Sequence, residues 1–504
     1  MSDYESVIGL EVHVQLKTQS KIFCACSTQF GAEPNQNTCP VCLGLPGSLP
    51  VLNEKVLELG IKVGLALGCQ ISSRIKFDRK NYFYPDLPKA YQISQYDMPV
   101  ASKGYLVIEV SPHLNPPSSL GGGEEGGMKK GELLQRRIGI TRAHLEEDAG
   151  KLLHEGVRDG SWVDYNRAGV PLLEIVSEPD LRSPEEAFQY LISLKAILQY
   201  LDVSDCNMEE GSLRCDANVS VRKKGETKLG TKVEIKNMNS FRAVQKALAY
   251  EIKRQTEAVE NGEKMIQETR LWNESKGQTF SMRSKEHAHD YRYFPEPDLV
   301  PFTVSAAGIE ALRNSLPELP QARIERFLKD YGLSEYDAYV LVSEKTLGDY
   351  FESCVKEKVS PKLASNWIQT ELLGELNARK LTFKESKVTP KELAGLICLI
   401  EQGTISGKIA KDVLPEMIDM GKSAEAIVKE KGLVQVTDTK LLEEIADRVI
   451  QANQKVVDEV RSGKPQAVGF LVGQVMKETK GKANPKLINE ILEKKLALLG
   501  YGKA

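Results

Sequence analysis

The 504-residue sequence has no run approaching the ~20 consecutive apolar residues of a membrane-spanning helix, which argues against a span. Its first residues, MSDYESVIGLEVHV, have no basic stretch leading into an apolar one, so no secretory signal is expected. No GxxxxGK[ST] sequence occurs, and any use of ATP must employ an architecture other than the P-loop. A strong charge of either sign is also missing. The 67 Lys and Arg against 70 Asp and Glu leave −3, which excludes a uniformly basic nucleic-acid coat but permits a local patch. Cysteine is present in an odd number, nine, and four of the nine lie between positions 24 and 42. Such clustering speaks against a disulfide framework and for a metal site in a reducing compartment, with the cytoplasm as the expected location. The remaining composition, 41% hydrophobic and 27% charged, is that of a globular chain long enough for two to four domains.

What is there changes character near residue 300. Before it, short segments alternate in polarity. In VIGLEVHVQL (7–16), Ile8, Leu10, Val12, Val14 and Leu16 fall on one side, and Glu11, His13 and Gln15 on the other. Residues 214–222 and, more weakly, 232–236 repeat the pattern, and 172–178 sets Glu174 and Glu178 on one face. Period-2 alternation predicts half-buried strands, and one-sided strands favour an antiparallel sheet. The stretches 184–201 and 241–260 read as helices, with Ser183 and Ser240 as N-caps and Pro184 at the first helical position. The Pro/Gly-rich stretch 115–131 contains a formal GxGxxG at Gly121, Gly123 and Gly126. No strand leads into it and no helix follows, so it reads as a linker rather than a nucleotide site. The segment LPELPQAR (316–323) marks a boundary, a second break falls at 401–408, and helical periodicity dominates from there to the end. The fold class expected is α+β. A sheet-rich domain spans 1–316, a helical linking domain 317–410 and a helical tail domain 411–504.

Cys24-x-Cys26 and Cys39-x-x-Cys42 form two close thiol pairs separated by a loop. Four sulfurs suit one tetrahedral Zn²⁺, and a closed four-thiolate shell is structural rather than catalytic. Four buried or redox-active thiols without metal are the competing reading. Carboxylates also gather on the predicted strand faces: Glu11 beside His13, the run Glu146, Glu147 and Asp148, Glu174, Asp216 and Glu234. Hard oxygen donors of this kind suit Mg²⁺, although an exposed strand face carries acidic residues for solubility alone. The segment 77–96 holds six aromatics among Arg79, Lys80 and Lys89. It reads either as a surface on which a base stacks and phosphates are held, or as a packing loop. The chain's last part, 461–504, carries +6 against −9 for the rest. A solvated face and an RNA contact both accommodate it.

Seven segments occur in order: GLEVHVQL, FDRKNYFYPDLPKAYQISQYD, RAHLEEDAGK, DYNRAGVPLLEIVSEPD, MEEGSLRCDANVSVR, EIKNMNS and DYRYFPEPDL. Together they resemble the B-subunit family of the aspartyl/glutamyl-tRNA(Asn/Gln) amidotransferases over nearly the whole chain. The stretch 115–131 departs most from the family pattern. The resemblance implies an ATP-dependent enzyme that phosphorylates the side-chain carboxylate of mischarged Glu-tRNA(Gln) or Asp-tRNA(Asn). Ammonia then displaces the phosphate. It is delivered from an amidase (glutaminase) A-subunit, with a small C-subunit completing a heterotrimer. The implied catalytic and Mg²⁺ set is Glu11, His13, Glu147, Glu174, Asp216 and Glu234. Lys80, Asn81, Lys89 and Arg214 are implied at phosphates or the transferred group. The sheet-rich domain would resemble the catalytic fold of glutamine synthetase. The implied structural Zn²⁺ ligands are Cys24, Cys26, Cys39 and Cys42, and the tail would meet tRNA through Arg461, Lys464, Lys477, Lys480, Lys482 and Lys486. A zinc-stabilised tRNA-binding scaffold without chemistry of its own is the alternative.

Overall fold

The computed structural model describes residues 3–110, 134–153, 160–282, 291–434, 439–461, 467–479, 483 and 485–498. The linker reading of 115–131 therefore lies outside the described residues. Nine strands form one large sheet: β1 (Tyr4–Gln15), β2 (Gln70–Ile71), β3 (Ala101–Val110), β4 (Leu134–Glu147), β5 (Pro171–Ser177), β6 (Leu213–Lys223), β7 (Val233–Lys236), β8 (Glu268–Asn273) and β9 (Gln278–Ser281). Their spatial order is β9-β8-β7-β6-β1-β5-β4-β3-β2.

The alternation in β1 decides how the sheet faces. Ile8, Leu10, Val12 and Val14 are wholly buried, while Glu11, His13 and Gln15 between them stay half-buried on the other side. Burying each of those apolar side chains is worth about 1.5–3 kcal/mol, so a one-residue slip of register would be severely unfavourable. Three helices, α1 (Glu54–Ala66), α2 (Pro184–Tyr200) and α3 (Phe241–Glu260), supply apolar faces to the same core. Ser183 and Ser240 cap α2 and α3 by accepting the amide protons of Glu186 and Ala243. Pro184 sits at the start of α2, where its missing N–H costs nothing.

The sheet is antiparallel except for one described pair, β7 with β8, which runs parallel. Helix α3 makes the crossover that a parallel pair requires. Buried Glu251 of α3 fastens that edge. It accepts from Arg254 Nη2 at 2.5 Å and from Thr279 of β9 at 2.9 Å, and Arg270 of β8 lies 3.5 Å away. A register shift between Val176 and Ser177 ends the regular part of β5. Glu178 follows the end of the strand and accepts from Thr141 Oγ1 at 2.8 Å.

The chain divides into two compact units, 1–323 and 324–504. The division falls at the end of LPELPQAR. Named elements of the second unit are all helices. Helix Gly407–Met420 runs through the expected boundary at 410, so that boundary would cut a helix. Within this unit Leu442, Ile445, Val449, Leu471, Val475, Ile488 and Leu492 share a cluster of their own. The architecture is mixed α/β, with a large sheet and many helices. No helix among the described residues is long and apolar enough to cross a membrane.

Candidate active site and metal centre

Register carries the site. His13 of β1 lies opposite Glu174 of β5 and Arg214 of β6, and Glu174 lies opposite His144 of β4. Glu11 lies opposite Asp216, and Asn218 opposite Glu234. Directly opposed residues project to the same side, so these groups line the polar face. His13 Nε2 stands 3.4 Å from Glu174 Oε2 and 3.9 Å from Glu146 Oε1. His144 Nε2 stands 3.2 Å from the same Glu174 oxygen and 3.6 Å from Glu146 Oε2. Ligand atoms of His13, Glu146 and Glu174 lie within 4.8 Å of one another, a spacing that one divalent ion can bridge.

The imidazoles and carboxylates of this face perturb one another strongly. Burial raises the proton affinity of Glu174, but hydrogen bonds and charge from His13 and His144 outweigh it and hold the carboxyl well below the usual range. Glu146 is lowered in the same sense, chiefly by His144 against its burial. His144, which burial alone would depress, is pushed up to about 9 by Glu146 and Glu174. Burial raises Glu11, and the charges of Glu174 and Glu234 raise it further. Beside it, Lys236 Nζ bonds Asp216 Oδ2 at 2.5 Å and lies 3.0 Å from Glu234 Oε1. Arg214 Nη2 donates to Asp148 Oδ1 at 2.9 Å. Lys80 is set among the rings of Tyr82 and Tyr291, with the ammonium 5.0 Å from the latter. Burial opposes its charge, but Glu146, Tyr293 and Tyr82 raise its pKa nonetheless.

Not every expected residue joins this face. Glu147 follows Glu146 on β4, and the pleat turns it to the opposite side. There both its oxygens meet the ammonium of Lys89, and Oε2 accepts from Ile93 N at 3.0 Å. Lys89 is thus engaged away from the His13 face. Asn81 spends its amide on the carbonyls of Arg79 and Arg292, at 3.3 and 2.8 Å. Beside His13 thus stand Glu146, Glu174 and, through them, His144, while Lys236 joins Asp216 and Glu234. A signal for Glu146 rather than Glu147 lies in the sequence. Leu145 is wholly buried, so its neighbour Glu146 must face away from the core and Glu147 must share its side. Because Lys89 and Glu147 are both nearly buried, Glu147→Gln is expected to strand the ammonium and cost about 3–5 kcal/mol, read as a lowered urea midpoint. An unchanged midpoint would show that the pair is not a closed buried unit.

The four cysteines converge as well. The sulfurs of Cys24, Cys26, Cys39 and Cys42 lie within 4.8 Å of one another. Pro40–Leu43 forms a helical turn, and Cys39 N donates to Cys42 Sγ at 3.1 Å. Gly44 ends the turn with φ +67, a left-handed conformation that favours glycine. The Cys42 thiol is pulled down to about 4, first by the Cys24 thiol and, against burial, by the Cys39 amide and the Lys21 ammonium. Such a set fits a soft tetrahedral ion. Of the other cysteines, Cys69, Cys206, Cys215 and Cys354 are buried packing residues and Cys398 is half-buried. In the tail, Lys464, Lys480 and Lys482 lie outside the described residues. Arg461 belongs to helix Gln454–Arg461, Lys477 to Val468–Glu478 and Lys486 to Pro485–Leu498.

The polar sheet face that gathers His13, Glu146 and Glu174, and the loop that gathers the four cysteines, lie in the same unit. Residues 6–310 match the GatB/GatE catalytic domain, and residues 349–496 match the GatB domain. Over 502 residues the chain is 58% identical to the B-subunit of the aspartyl/glutamyl-tRNA(Asn/Gln) amidotransferase of Carboxydothermus hydrogenoformans, covering 99% of this chain and 100% of the relative. The corresponding B-subunit of Thermodesulfovibrio yellowstonii is 56% identical over 491 residues, 97% of this chain and 99% of the relative. The chain belongs to the B-subunit family of the aspartyl/glutamyl-tRNA(Asn/Gln) amidotransferases.

Proposed function

We propose that this chain uses ATP to phosphorylate the side-chain carboxylate of mischarged Glu-tRNA(Gln) or Asp-tRNA(Asn), and then gives the acyl group to ammonia. One observation carries the reading: the convergence of His13, Glu146 and Glu174 on a face that also bears Glu11, Asp216, Glu234, Arg214 and Lys236. A Mg²⁺ ion held by the triad would neutralise and align phosphate oxygens.

The chain's own groups do the rest. Arg214, Lys236 and Lys80 offer positive charge to the phosphates. Glu11, Asp216 and Glu234 offer further oxygen donors, enough for a second ion. The substrate carboxylate oxygen attacks the γ-phosphorus, the bond to the bridging oxygen breaks, and ADP leaves. Ammonia then attacks the acyl carbon and phosphate departs, leaving an amide. An acyl phosphate is needed because oxide is a poor leaving group. Shielding from water keeps it from hydrolysis. The ammonia comes from a glutaminase A-subunit, joined with a small C-subunit in a heterotrimer. The sheet-rich unit is read as a relative of the glutamine synthetase catalytic fold, which makes the same kind of intermediate. Zn²⁺ on the four cysteines is structural. The tail, through Lys477 and its basic neighbours in 461–504, rests on tRNA phosphates.

The test is ADP release by the reconstituted complex given mischarged tRNA and ammonium chloride without glutamine. Release that requires mischarged tRNA is expected. A complex that binds the tRNA but releases no ADP would instead favour a zinc-stabilised scaffold, and turnover of free glutamate would point to a free-standing ligase.

A further inference from the structure

Lys21 is wholly buried, a rare state for lysine unless it is paired. Among the described residues no carboxylate lies within ion-pair distance of it. Its ammonium instead points at three acceptors. It donates to the carbonyl of Asn37 at 2.7 Å, to the carbonyl of Tyr165 at 3.3 Å and to Cys42 Sγ at 3.7 Å. An ammonium has three N–H donors, so all are used. Of the three acceptors only the sulfur can carry charge. The backbone of the same residue holds the other half of the cysteine set, for Lys21 N donates to the carbonyl of Cys26 at 3.0 Å. One residue therefore grips both thiol pairs, Cys24-x-Cys26 through its amide and Cys39-x-x-Cys42 through its side chain.

We propose that Lys21 is the outer-sphere positioning residue of the four-cysteine metal site, supplying the buried positive charge that a tetrathiolate centre requires. Four thiolates around a dication leave a formal charge of −2. Enclosing that charge is costly without nearby donors or counter-charge. Lys21 offsets one unit of it, and the Cys39 amide contributes a further hydrogen bond at 3.1 Å to the same sulfur. Outer-sphere partners of this kind orient ligands and tune how tightly the ion is held. Lys21 touches no ligand of the His13 face, so its effect is confined to the thiolate centre. The inference rests on the zinc reading of those cysteines, and the two fail differently.

The experiment compares full-length wild type with Lys21→Met, which keeps the length of the stem and removes the charge. Zinc affinity is measured by competition with a chromophoric chelator, and Co²⁺ is substituted to report the ligand shell. Lys21→Met is expected to bind zinc about ten- to a hundredfold more weakly, with the tetrahedral Co²⁺–thiolate bands retained. The chelator-induced fall in melting temperature should shrink in the variant. Undiminished zinc affinity in Lys21→Met would overturn the proposal while leaving the zinc site standing. A wild-type chain that binds no zinc would overturn both. A merely structural lysine would lower the melting temperature equally with and without chelator, which also counts against it. Should Lys21→Met fail to fold, amine labelling of the wild type decides. Lys21 should be protected in the zinc-loaded chain and reactive after chelation, and equal labelling in the two states would refute the role.

Discussion

Glu146→Gln is expected to abolish ATP-dependent amidation of mischarged tRNA, lowering it about a thousandfold, while tRNA binding persists. The size follows from the geometry. Glu146 shares the candidate ion with His13 and Glu174, and its carboxylate stands 3.6 Å from His144 Nε2. A neutral amide there removes one negative ligand from a site whose ion would stabilise several kcal/mol of developing phosphoryl charge. At 1.36 kcal/mol per factor of ten, about 4 kcal/mol is a thousandfold. Single-turnover ADP formation is the measurement. The informative contrast is Glu147→Gln, whose first effect should fall on stability through Lys89. If Glu146→Gln keeps ADP formation near the wild-type rate, the triad is not the phosphoryl-transfer centre.

The second large effect concerns the knuckle. Cys39→Ser is expected to reduce bound zinc from about one ion per chain to almost none, because a tetrahedral site loses a quarter of its shell and its ordered turn together. Cys39 also precedes the Pro40–Leu43 turn, and its carbonyl accepts from Leu43 N at 3.1 Å. Around it Phe30, Leu49 and Val51 are exposed, so this segment has little apolar burial to hold it. Structural zinc contributes on the order of 10 kcal/mol to such small folds. Hydrogen exchange should therefore show amides 24–48 opening in the variant, with β1 and α2 still protected. Full zinc content in Cys39→Ser would rule out the assigned ligand set.

Both expectations draw on features that were unevenly legible. β1 could be read from Ile8, Leu10, Val12 and Val14 because burial on one face imprints a period of two. The caps of α2 and α3 could be read because Ser and Pro act locally. Local alternation did not reveal that Glu174 meets His144, or that Lys236 meets Asp216, since those contacts depend on register between strands far apart in sequence. The choice between Glu146 and Glu147 lay within reach through the parity of Leu145, yet an unbroken acidic run conceals which member faces which side. The parallel pairing of β7 with β8 was hidden for a similar reason, for it is dictated by where α3 crosses. Lys21 gave no signal at all, since a lysine shortly past a strand reads as solvent-exposed until the loop around it is closed.

The central position of β1 has a consequence for synthesis. β1 is hydrogen-bonded on both sides by strands that follow it at a distance in the chain: residue 13 must wait for residue 174 on one edge and residue 214 on the other. Until then its stripe of Ile8, Leu10, Val12 and Val14 has no sheet to join, and contacts so distant in sequence form slowly. The nascent chain therefore carries an unpaired apolar segment while the residues between β1 and its two partners, about 160 on one edge and 200 on the other, are made.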